Sequence, residues 1–208
     1  MFWNKRKKNE ISYKYLHFNE VINFVNFIIS KETDKANQKI LLDYILSVVK
    51  TDLISEYIAD VFYKSEVREW NSIFPMVYYN EYGEEIHLHE NNKIKHVDLG
   101  KNNVIVLPWN RDRMVDAIKN VFRNKFRYIS NNHMAMYFTE MDLCYVYNGI
   151  HSITAGVILK NGVIEAKEID ISQTFKHIRA DEKNWYNSHT GEVLLEMCDF
   201  RLGVMYEI

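Results

Sequence analysis

The sequence predicts an α+β fold in which a helical N-terminal segment precedes a mixed-sheet domain. Apolar residues recur at helical spacing through the first third of the chain, and from about Ile73 their period changes to two. Further on, the stretch from Leu143 to Gly162 has the pattern of a strand, a tight turn and a helix. We therefore assign residues 1–72 to the helical segment and residues 73–208 to the α+β domain with a C-terminal extension.

Length, charge and cysteine usage limit the class of protein. A chain of 208 residues is long enough for one substantial domain, and a net charge of −2 argues against a protein whose entire surface binds polyanions. Neither Cys144 nor Cys198 lies in a metal-binding spacing. Cys144 falls in an apolar strand and is expected to be a core residue rather than a nucleophile. This usage fits a reducing cytosol.

The N-terminal sequence and the apolar runs argue against a membrane protein. Aromatic residues precede the basic cluster Lys5–Lys8, which is the reverse of a secretory signal, and the longest apolar stretch, Val21–Ile29, is too short to span a bilayer. We expect a cytoplasmic protein with no membrane partner. The abundance of Asn, Lys, Ile and Tyr beside seven Gly and two Pro is typical of AT-rich coding sequences, as in low-GC bacteria and their phages.

The helical segment is expected to contain three amphipathic helices. Their apolar repeats cover Val21–Ile29, Ile40–Val49 and Leu53–Phe62. Asp34 and Asp52 stand where N-caps would be expected, so the breaks between the helices are chemically plausible. The apolar stripes suit either a small bundle that covers a sheet or the surface of a homodimer.

The rest of the chain is expected to alternate strands with two helices. A hairpin is predicted about the turn Glu81–Glu84, and a helix is predicted over Met114–Phe122 with Asp112 as its N-cap. A helix also follows the turn at Asn148-Gly149. The other predicted extended segments are Val104–Leu107, Phe126–Ile129, Met134–Phe138, Leu143–Tyr147 and Val163–Ile171, and a hydrophobic run over Val193–Tyr206 closes the chain.

The turn between the strand and the second of these helices is a candidate anion site. The free backbone N–H groups of residues 150–153 point beyond the strand end, and the helix dipole favours a negative charge there. Gly149 can adopt the positive φ that lets the backbone approach a ligand closely. The hydroxyls of Ser152 and Thr154 can donate to phosphate oxygens or cap the helix. A phosphate is therefore the expected ligand, and a plain structural connection is the alternative.

Two short motifs resemble those of the ParB/sulfiredoxin-like domain. Asn110-Arg111-Asp112-Arg113 is similar to the family's first box, a polar motif with arginine before a helix. Gly149 to Ala155 is similar to its second box, a Gly-x-His-Arg-x-x-Ala-like turn, with Ser152 in place of the usual arginine. The resemblance extends from about Val97 to Ser172 and implies a mixed-sheet domain of that type.

The resemblance also implies a nucleotide site. In the family the second box holds nucleotide phosphates, so the expected phosphate-binding residues are Gly149, His151, Ser152, Thr154, Arg111 and Arg113. The two arginines would replace the charge missing at Ser152, which is worth about 1.5–3 kcal/mol in a charge-assisted hydrogen bond. The implied function is binding of a nucleoside triphosphate such as ATP or CTP with Mg²⁺, with hydrolysis or phosphoryl transfer as the associated enzyme activity.

Catalytic and metal-binding roles are assigned to three side chains. His151 is a candidate general base or proton donor, and the alternative is that it bonds the backbone within the turn. Glu140 and Asp142 are candidate Mg²⁺ ligands beside the phosphates, because that ion prefers hard oxygen donors. Glu140 is also a catalytic candidate, whereas a solvated loop is the alternative for both carboxylates.

The sequence does not exclude two other classes of function. One is a DNA-binding or DNA-processing ParB-like protein of a plasmid, phage or defence system, and the other is a non-catalytic interaction protein with a degenerate pocket. The nucleic-acid hypothesis depends on cations beside stacking aromatic residues. Those residues are Lys5–Lys8, Lys176, Arg179, Lys183, Trp185 and Tyr186, for which a solvated tail and loop is the alternative.

A zinc site is a further hypothesis. His87 and His89 occupy the same face of a predicted strand, and Glu90 and His96 follow closely. No second histidine pair of suitable spacing accompanies them. Ordinary surface histidines in a hairpin are the alternative.

Overall fold

The structure is a computed structural model that describes residues 2–64, 70, 72–89 and 93–208, with the backbone alone described for residues 2–15. The described residues form five α-helices and ten β-strands. Helices precede a mixed sheet, so the predicted α+β class is confirmed. Within these described ranges, no helix combines the length and apolar character needed to cross a membrane.

Two long helices occupy the N-terminal third, α1 Phe2–Lys31 and α2 Lys35–Tyr63. The prediction of three helices is wrong, because no break occurs at Asp52, which lies inside α2. The apolar repeat continues in phase from Val49 to Leu53, and no glycine or proline interrupts it. Nothing in this stretch therefore ends the helix.

The break before α2 is capped as predicted. The Asp34 Oδ1 accepts hydrogen bonds from the backbone N–H groups of Ala36 at 2.7 Å and Asn37 at 3.1 Å. These are donors that a helix leaves unpaired at its first turn. Asp34 is therefore the N-terminal cap of α2.

The remaining elements follow in chain order. The strands are β1 Val77–Tyr79, β2 Glu85–His87, β3 Ile94–Asp98, β4 Val104–Ile105, β5 Met134–Phe138, β6 Leu143–Asn148, β7 Val163–Ile169, β8 Ile178–Ala180, β9 Asn184–Asn187 and β10 Val193–Glu196. The helices are α3 Arg111–Asn124, α4 Ile150–Ile158, a 3-10 helix Thr174–Lys176 and α5 Phe200–Glu207. The stretch 126–129, which we predicted to be extended, carries no strand pairing.

The chain divides into two compact units that interleave in sequence. One comprises residues 1–50, 72–86 and 174–208, and the other comprises residues 51–71 and 87–173. We call them the first and the second unit. The predicted domain division after residue 72 does not coincide with this partition and stays a prediction.

The second unit is built on a five-stranded mixed sheet with the order β3-β7-β5-β6-β4. β7 pairs with β3 in antiparallel and with β5 in parallel orientation, and β6 pairs with β5 in antiparallel and with β4 in parallel orientation. The strand residues that face α4 are fully buried, among them Val97, Val146 and Ile164. β6 therefore lies inside the sheet, and its C-terminal end opens directly into α4.

Helices α3 and α4 pack against each other and against the C-terminal part of α2 in this unit. Val61, Met114, Val121 and Ala155 form a small buried cluster between them. Asn110, rather than the predicted Asp112, caps α3, because its Oδ1 accepts the backbone N–H of Arg113 at 2.9 Å. α3 thus begins three residues earlier than predicted.

The first unit has its own aromatic core. Trp185 of β9 is fully buried, with ring centroids 4.9 Å from Phe74 and 5.2 Å from Tyr206 of α5. The unit contains the hairpin sheet β1-β2 and the antiparallel sheet β10-β9-β8. The predicted hairpin about residues 81–84 is confirmed.

One face of α2 within the first unit exposes large apolar side chains at a spacing of four residues. Ile40, Tyr44 and Val48 are 64%, 71% and 51% exposed. Residues at this spacing lie on the same face of a helix. A homodimer formed through the N-terminal helices stays a prediction, which substitutions in this apolar stripe can test.

We expect the double substitution Ile40→Glu and Tyr44→Glu to convert such a dimer to a monomer, because two buried carboxylates would oppose association. Light scattering during size-exclusion chromatography measures the mass. Tyr82→Glu, at an 80% exposed residue of the hairpin turn, is the control and should leave the mass unchanged. A monomeric wild-type protein, or a double variant that stays dimeric, contradicts the prediction.

Candidate functional site

The predicted anion site is a pocket of about 390 Å³ in the second unit, where β6 ends and α4 begins. Its size is in the range of pockets that bind small molecules. Its wall includes the turn itself and side chains from α3 and from the loop before α3. The residues that line it are Trp109, Arg113, Ala117, Asn132, Tyr147, Asn148, Gly149, Ile150, His151 and Ser152.

Gly149 makes the turn in the left-handed conformation that was expected for it, with φ of 75°. A Cβ atom at this position would lie 2.4 Å from Cδ2 of His133 and 2.9 Å from the carbonyl oxygen of Asn132. Both the backbone conformation and the lack of space therefore require glycine here.

The N-terminus of α4 carries no side-chain cap. The first intrahelical bond runs from the N–H of Ile153 to the carbonyl of Gly149 at 3.1 Å, so the N–H groups of the preceding three residues have no intrahelical acceptor. These donors and the positive end of the helix dipole meet at the pocket. An anion in the pocket would supply the acceptors that the helix itself lacks.

Asn110 connects the loop before α3 to α4. Its backbone N–H donates to Nε2 of His151 at 3.1 Å, while its side chain caps α3 through the N–H of Arg113. The Arg113 guanidinium lies 4.9 Å from the centroid of the Trp109 ring, and that ring contacts His151 edge to face at 5.2 Å. Arg113, Trp109 and His151 therefore form one connected cluster on the pocket wall.

The surroundings of His151 disfavour the charged form of its imidazole. Burial, followed by the charge of Arg113, lowers its pKa. Because Nε2 accepts the Asn110 N–H, the proton of the neutral ring is on Nδ1. The lone pair that a general base needs is already engaged, so this arrangement favours a hydrogen-bond donor rather than the predicted base.

Ser152 has its hydroxyl engaged within the protein. Nδ1 of His133 accepts the backbone N–H of Ile129 at 3.0 Å, so the neutral His133 ring donates through Nε2 to the Ser152 Oγ at 2.9 Å. The Ser152 hydroxyl in turn donates to the carbonyl of Gly149 at 3.0 Å. Its only proton is used there, so Ser152 stabilises the turn, and the proton expected to bind a phosphate is engaged within the protein.

Two of the predicted phosphate ligands lie away from the pocket. Thr154 is fully buried, and its hydroxyl donates to the carbonyl of Ile150 at 2.7 Å within α4. The Arg111 guanidinium donates to the carbonyls of Val61, at 2.9 Å, and of residues 62 and 64, where α2 ends. Arg111 thus caps the C-terminus of α2, and Arg113 is the arginine that lines the pocket.

Glu140 and Asp142 lie at the opposite end of β6 from Gly149. The strand spans residues 143–148, which separates its ends by about 17 Å at the usual rise per residue. The Glu140 carboxylate accepts the backbone N–H of Ile171 at 2.9 Å, and the Asp142 carboxylate accepts the hydroxyl of Tyr137. The structure therefore does not bring these carboxylates to the phosphate site as predicted Mg²⁺ ligands, nor Glu140 as a catalytic group.

The pocket wall contains one cationic side chain and no carboxylate among the described residues that line it. Two aromatic rings, Trp109 and Tyr147, are 45% and 39% exposed at its rim. The site thus combines a positive interior with flat apolar surfaces. Sequence reasoning missed both rings because Trp109 lies in the loop after β4 and Tyr147 lies near the end of β6, and neither belongs to a ligand-binding motif.

Of the two aromatic residues proposed to stack with nucleic acid, Trp185 is not available for that role. Trp185 belongs to the core of the first unit, and the Tyr186 hydroxyl donates to the Asp181 carboxylate at 2.7 Å. Arg179 lies over the Tyr186 ring at 5.6 Å. The side chains of Lys5–Lys8 fall outside the described residues, and DNA binding stays a prediction.

The predicted zinc ligands do not assemble as a group. The rings of His87 and His89 stack with centroids 6.2 Å apart, and His96 approaches Glu165 at 3.8 Å. Glu90 lies outside the described residues. The described chain places no third ligand beside this pair. Cys144 is a fully buried core residue, as predicted, and burial raises the pKa of its thiol.

Comparison with known proteins identifies a family but no function. The model of a family of unknown function, DUF6710, matches residues 3–208, and the chain belongs to this family. No curated protein and no solved structure matches the chain. The ParB/sulfiredoxin-like resemblance stays a prediction.

We expect Gly149→Ala to destabilise the protein by more than the about 1–2 kcal/mol that a left-handed residue with a Cβ costs, because the new methyl group also collides with His133 and Asn132. Urea unfolding measures the change. Gly83→Ala is the matched control, since its φ is 78° but nothing lies within 4 Å of its added Cβ. Equal losses in the two variants would contradict the packing argument.

We expect the free energy of unfolding to decrease as the pH falls from about 7 to about 5. Burial lowers the pKa of His133 in the folded protein, so the unfolded chain binds the proton first as the pH falls, and folding must release it. Urea unfolding at several pH values measures this slope. His133→Gln, which keeps an amide donor toward Ser152, should reduce the slope, and an unchanged slope would contradict the assignment.

Proposed function

We propose that this member of the DUF6710 family binds a nucleotide, such as ATP or CTP, in the pocket between β6 and α4. The observation that carries this proposal is that an uncapped helix N-terminus and the Arg113 guanidinium face the same carboxylate-free pocket. That combination attracts an anion and offers several donors to it. A cytoplasmic location, where nucleotides are available, is part of the proposal.

The phosphates bind at the turn. The backbone N–H groups of residues 150–152 are fixed donors, and the neutral His151 can add its Nδ1–H. Arg113 supplies the positive charge that the family resemblance placed at position 152. Its backbone is held by the Asn110 cap and its guanidinium by the Trp109 ring, so little side-chain freedom is lost when a phosphate binds.

The base stacks on one of the exposed rings. Trp109 and Tyr147 line the same pocket as the turn, and a nucleobase can stack on either ring. Base stacking on an aromatic residue contributes about 1–3 kcal/mol. The presence of these rings beside the anion site is what favours a nucleotide over inorganic phosphate.

The proposal is for binding rather than turnover. Hydrolysis needs a base or a residue that orients water, and the described residues lining the pocket provide neither a carboxylate nor a free imidazole lone pair. In this proposal Mg²⁺ enters with the nucleotide, coordinated by phosphate oxygens and water. An ATPase or CTPase assay addresses the enzyme alternative directly.

We expect Arg113→Ala to weaken ATP and CTP binding about 10- to 100-fold, the equivalent of one lost charge-assisted hydrogen bond. Isothermal titration with and without Mg²⁺ measures the affinity. Arg123→Ala is the matched control, because Arg123 is exposed on the last turn of the same helix and does not line the pocket. If no nucleotide binds the wild-type protein, or both variants bind equally well, the proposal is wrong.

Trp109→Ala tests the nucleobase contact separately. We expect it to weaken nucleotide binding by more than it weakens binding of inorganic triphosphate, because the triphosphate has no base to stack. The triphosphate comparison controls for disturbance of Arg113, whose guanidinium lies over the Trp109 ring, because both ligands depend on that arginine. Equal losses for both ligands would restrict the site to phosphate recognition and reject the nucleotide.

A further inference from the structure

Three metal-ligating side chains from distant parts of the sequence converge in the first unit. Glu81 lies in the turn between β1 and β2, His177 directly precedes β8, and His189 lies in the loop between β9 and β10. One ligand atom from each residue lies within 4.8 Å of the other two. The residues of this group do not include any that line the nucleotide pocket.

The separations of the ligand atoms suit one small cation. Nδ1 of His177 is 2.9 Å from Nε2 of His189 and 3.7 Å from Oε2 of Glu81. Zinc bonds of about 2.0–2.1 Å in tetrahedral geometry place neighbouring ligand atoms about 3.3 Å apart. The separations of the His177 atom from the other two ligand atoms lie on either side of that value, and all three atoms lie within 4.8 Å of one another, so side-chain adjustments can bring them to one ion.

Backbone contacts hold the two histidines together. The N–H of Ser188 donates to the carbonyl of His177 at 2.8 Å, which ties the segment before β8 to the loop that carries His189. The ring of His177 also stacks on Tyr78 at 5.6 Å between centroids. Only 14% of the His177 side chain is exposed. Its ring therefore has little freedom to turn away.

A buried amide positions the other two ligands. The Asn187 side chain is 1% exposed, and its Oδ1 accepts the backbone N–H of His189 at 2.7 Å. Its Nδ2 donates to the carbonyl of Tyr79 at 3.3 Å, close in sequence to Glu81. Asn80 closes the Glu81 turn, since its Oδ1 accepts two backbone N–H groups of that turn at 2.9 Å. The ligand-bearing loops are thus preorganised.

We propose that Glu81, His177 and His189 bind one zinc ion with its fourth coordination position open to water. Two imidazoles and one carboxylate are borderline ligands that suit zinc and similar transition metals better than Mg²⁺ or Ca²⁺. Glu81 and His189 are exposed, so the ion can enter from solvent. A three-ligand site with an open position is the arrangement found where zinc activates water or contacts a second molecule.

The metal replaces the hydrogen bond between the two rings. In the neutral pair one ring nitrogen donates and the other accepts. When zinc binds, the donating ring carries its proton on its other nitrogen, and both facing lone pairs bind the ion. No net deprotonation of the neutral pair is required.

Titration of the metal-stripped, full-length protein with zinc tests the proposal. We expect one ion to bind per chain, and we expect His189→Ala and Glu81→Gln each to weaken binding by at least about tenfold. Both residues are exposed, so these variants should fold, which circular dichroism without metal checks. Replacement of zinc by cobalt should give the visible absorption of a tetrahedral centre.

The control is the double variant His87→Ala and His89→Ala, which removes two stacked histidines outside the group. It should bind zinc as the wild type does. The proposal is overturned if the wild-type protein binds no zinc, if His189→Ala binds it unchanged, or if the control loses binding. An octahedral cobalt spectrum would overturn the open tetrahedral site.

Discussion

The left-handed turn at Gly149 is the constraint on which the candidate site depends. It reverses the chain between a strand inside the sheet and a helix packed on that sheet, and it leaves the first N–H groups of α4 without protein acceptors. The space that a side chain would occupy is filled by His133. That ring is fixed by stacking on Phe126 and by two hydrogen bonds, one of which holds Ser152. Core packing therefore determines how an anion would be bound.

Local sequence patterns predicted several of the elements around the candidate site and the turn itself. Alternating apolar residues identified β5 and β6, and the Asn-Gly pair identified the strand–turn–helix connection and its open N-terminus. The cap at Asp34 was also predictable, since it depends on residues two and three positions away. Asp52 shows the limit of this reasoning, because a residue that favours caps remains inside a helix when the apolar repeat continues through it.

The roles of single side chains could not be predicted, because they depend on contacts between residues that are distant in the sequence. Arg111 and Arg113 are equivalent in the sequence motif, yet one bonds the end of α2 some 50 residues away and the other lines the pocket. His151 has its basic nitrogen engaged by Asn110, which is 41 residues distant. The compact His87-Leu88-His89 motif suggested a zinc site. The rings of His177 and His189, which are hydrogen bonded to each other, come from residues 12 positions apart that belong to no sequence motif.

The interleaving of the two units has a consequence for synthesis. The second unit ends at residue 173, so all of its sheet has been translated before the last part of the first unit emerges from the ribosome. The first unit needs residues 174–208, which contribute Trp185 and Tyr206 to its aromatic core. Until then α1 and the β1-β2 hairpin lack the strands that complete that core. The pocket between β6 and α4 is therefore encoded in the part of the chain able to fold first, and the histidine–glutamate cluster in the part completed last.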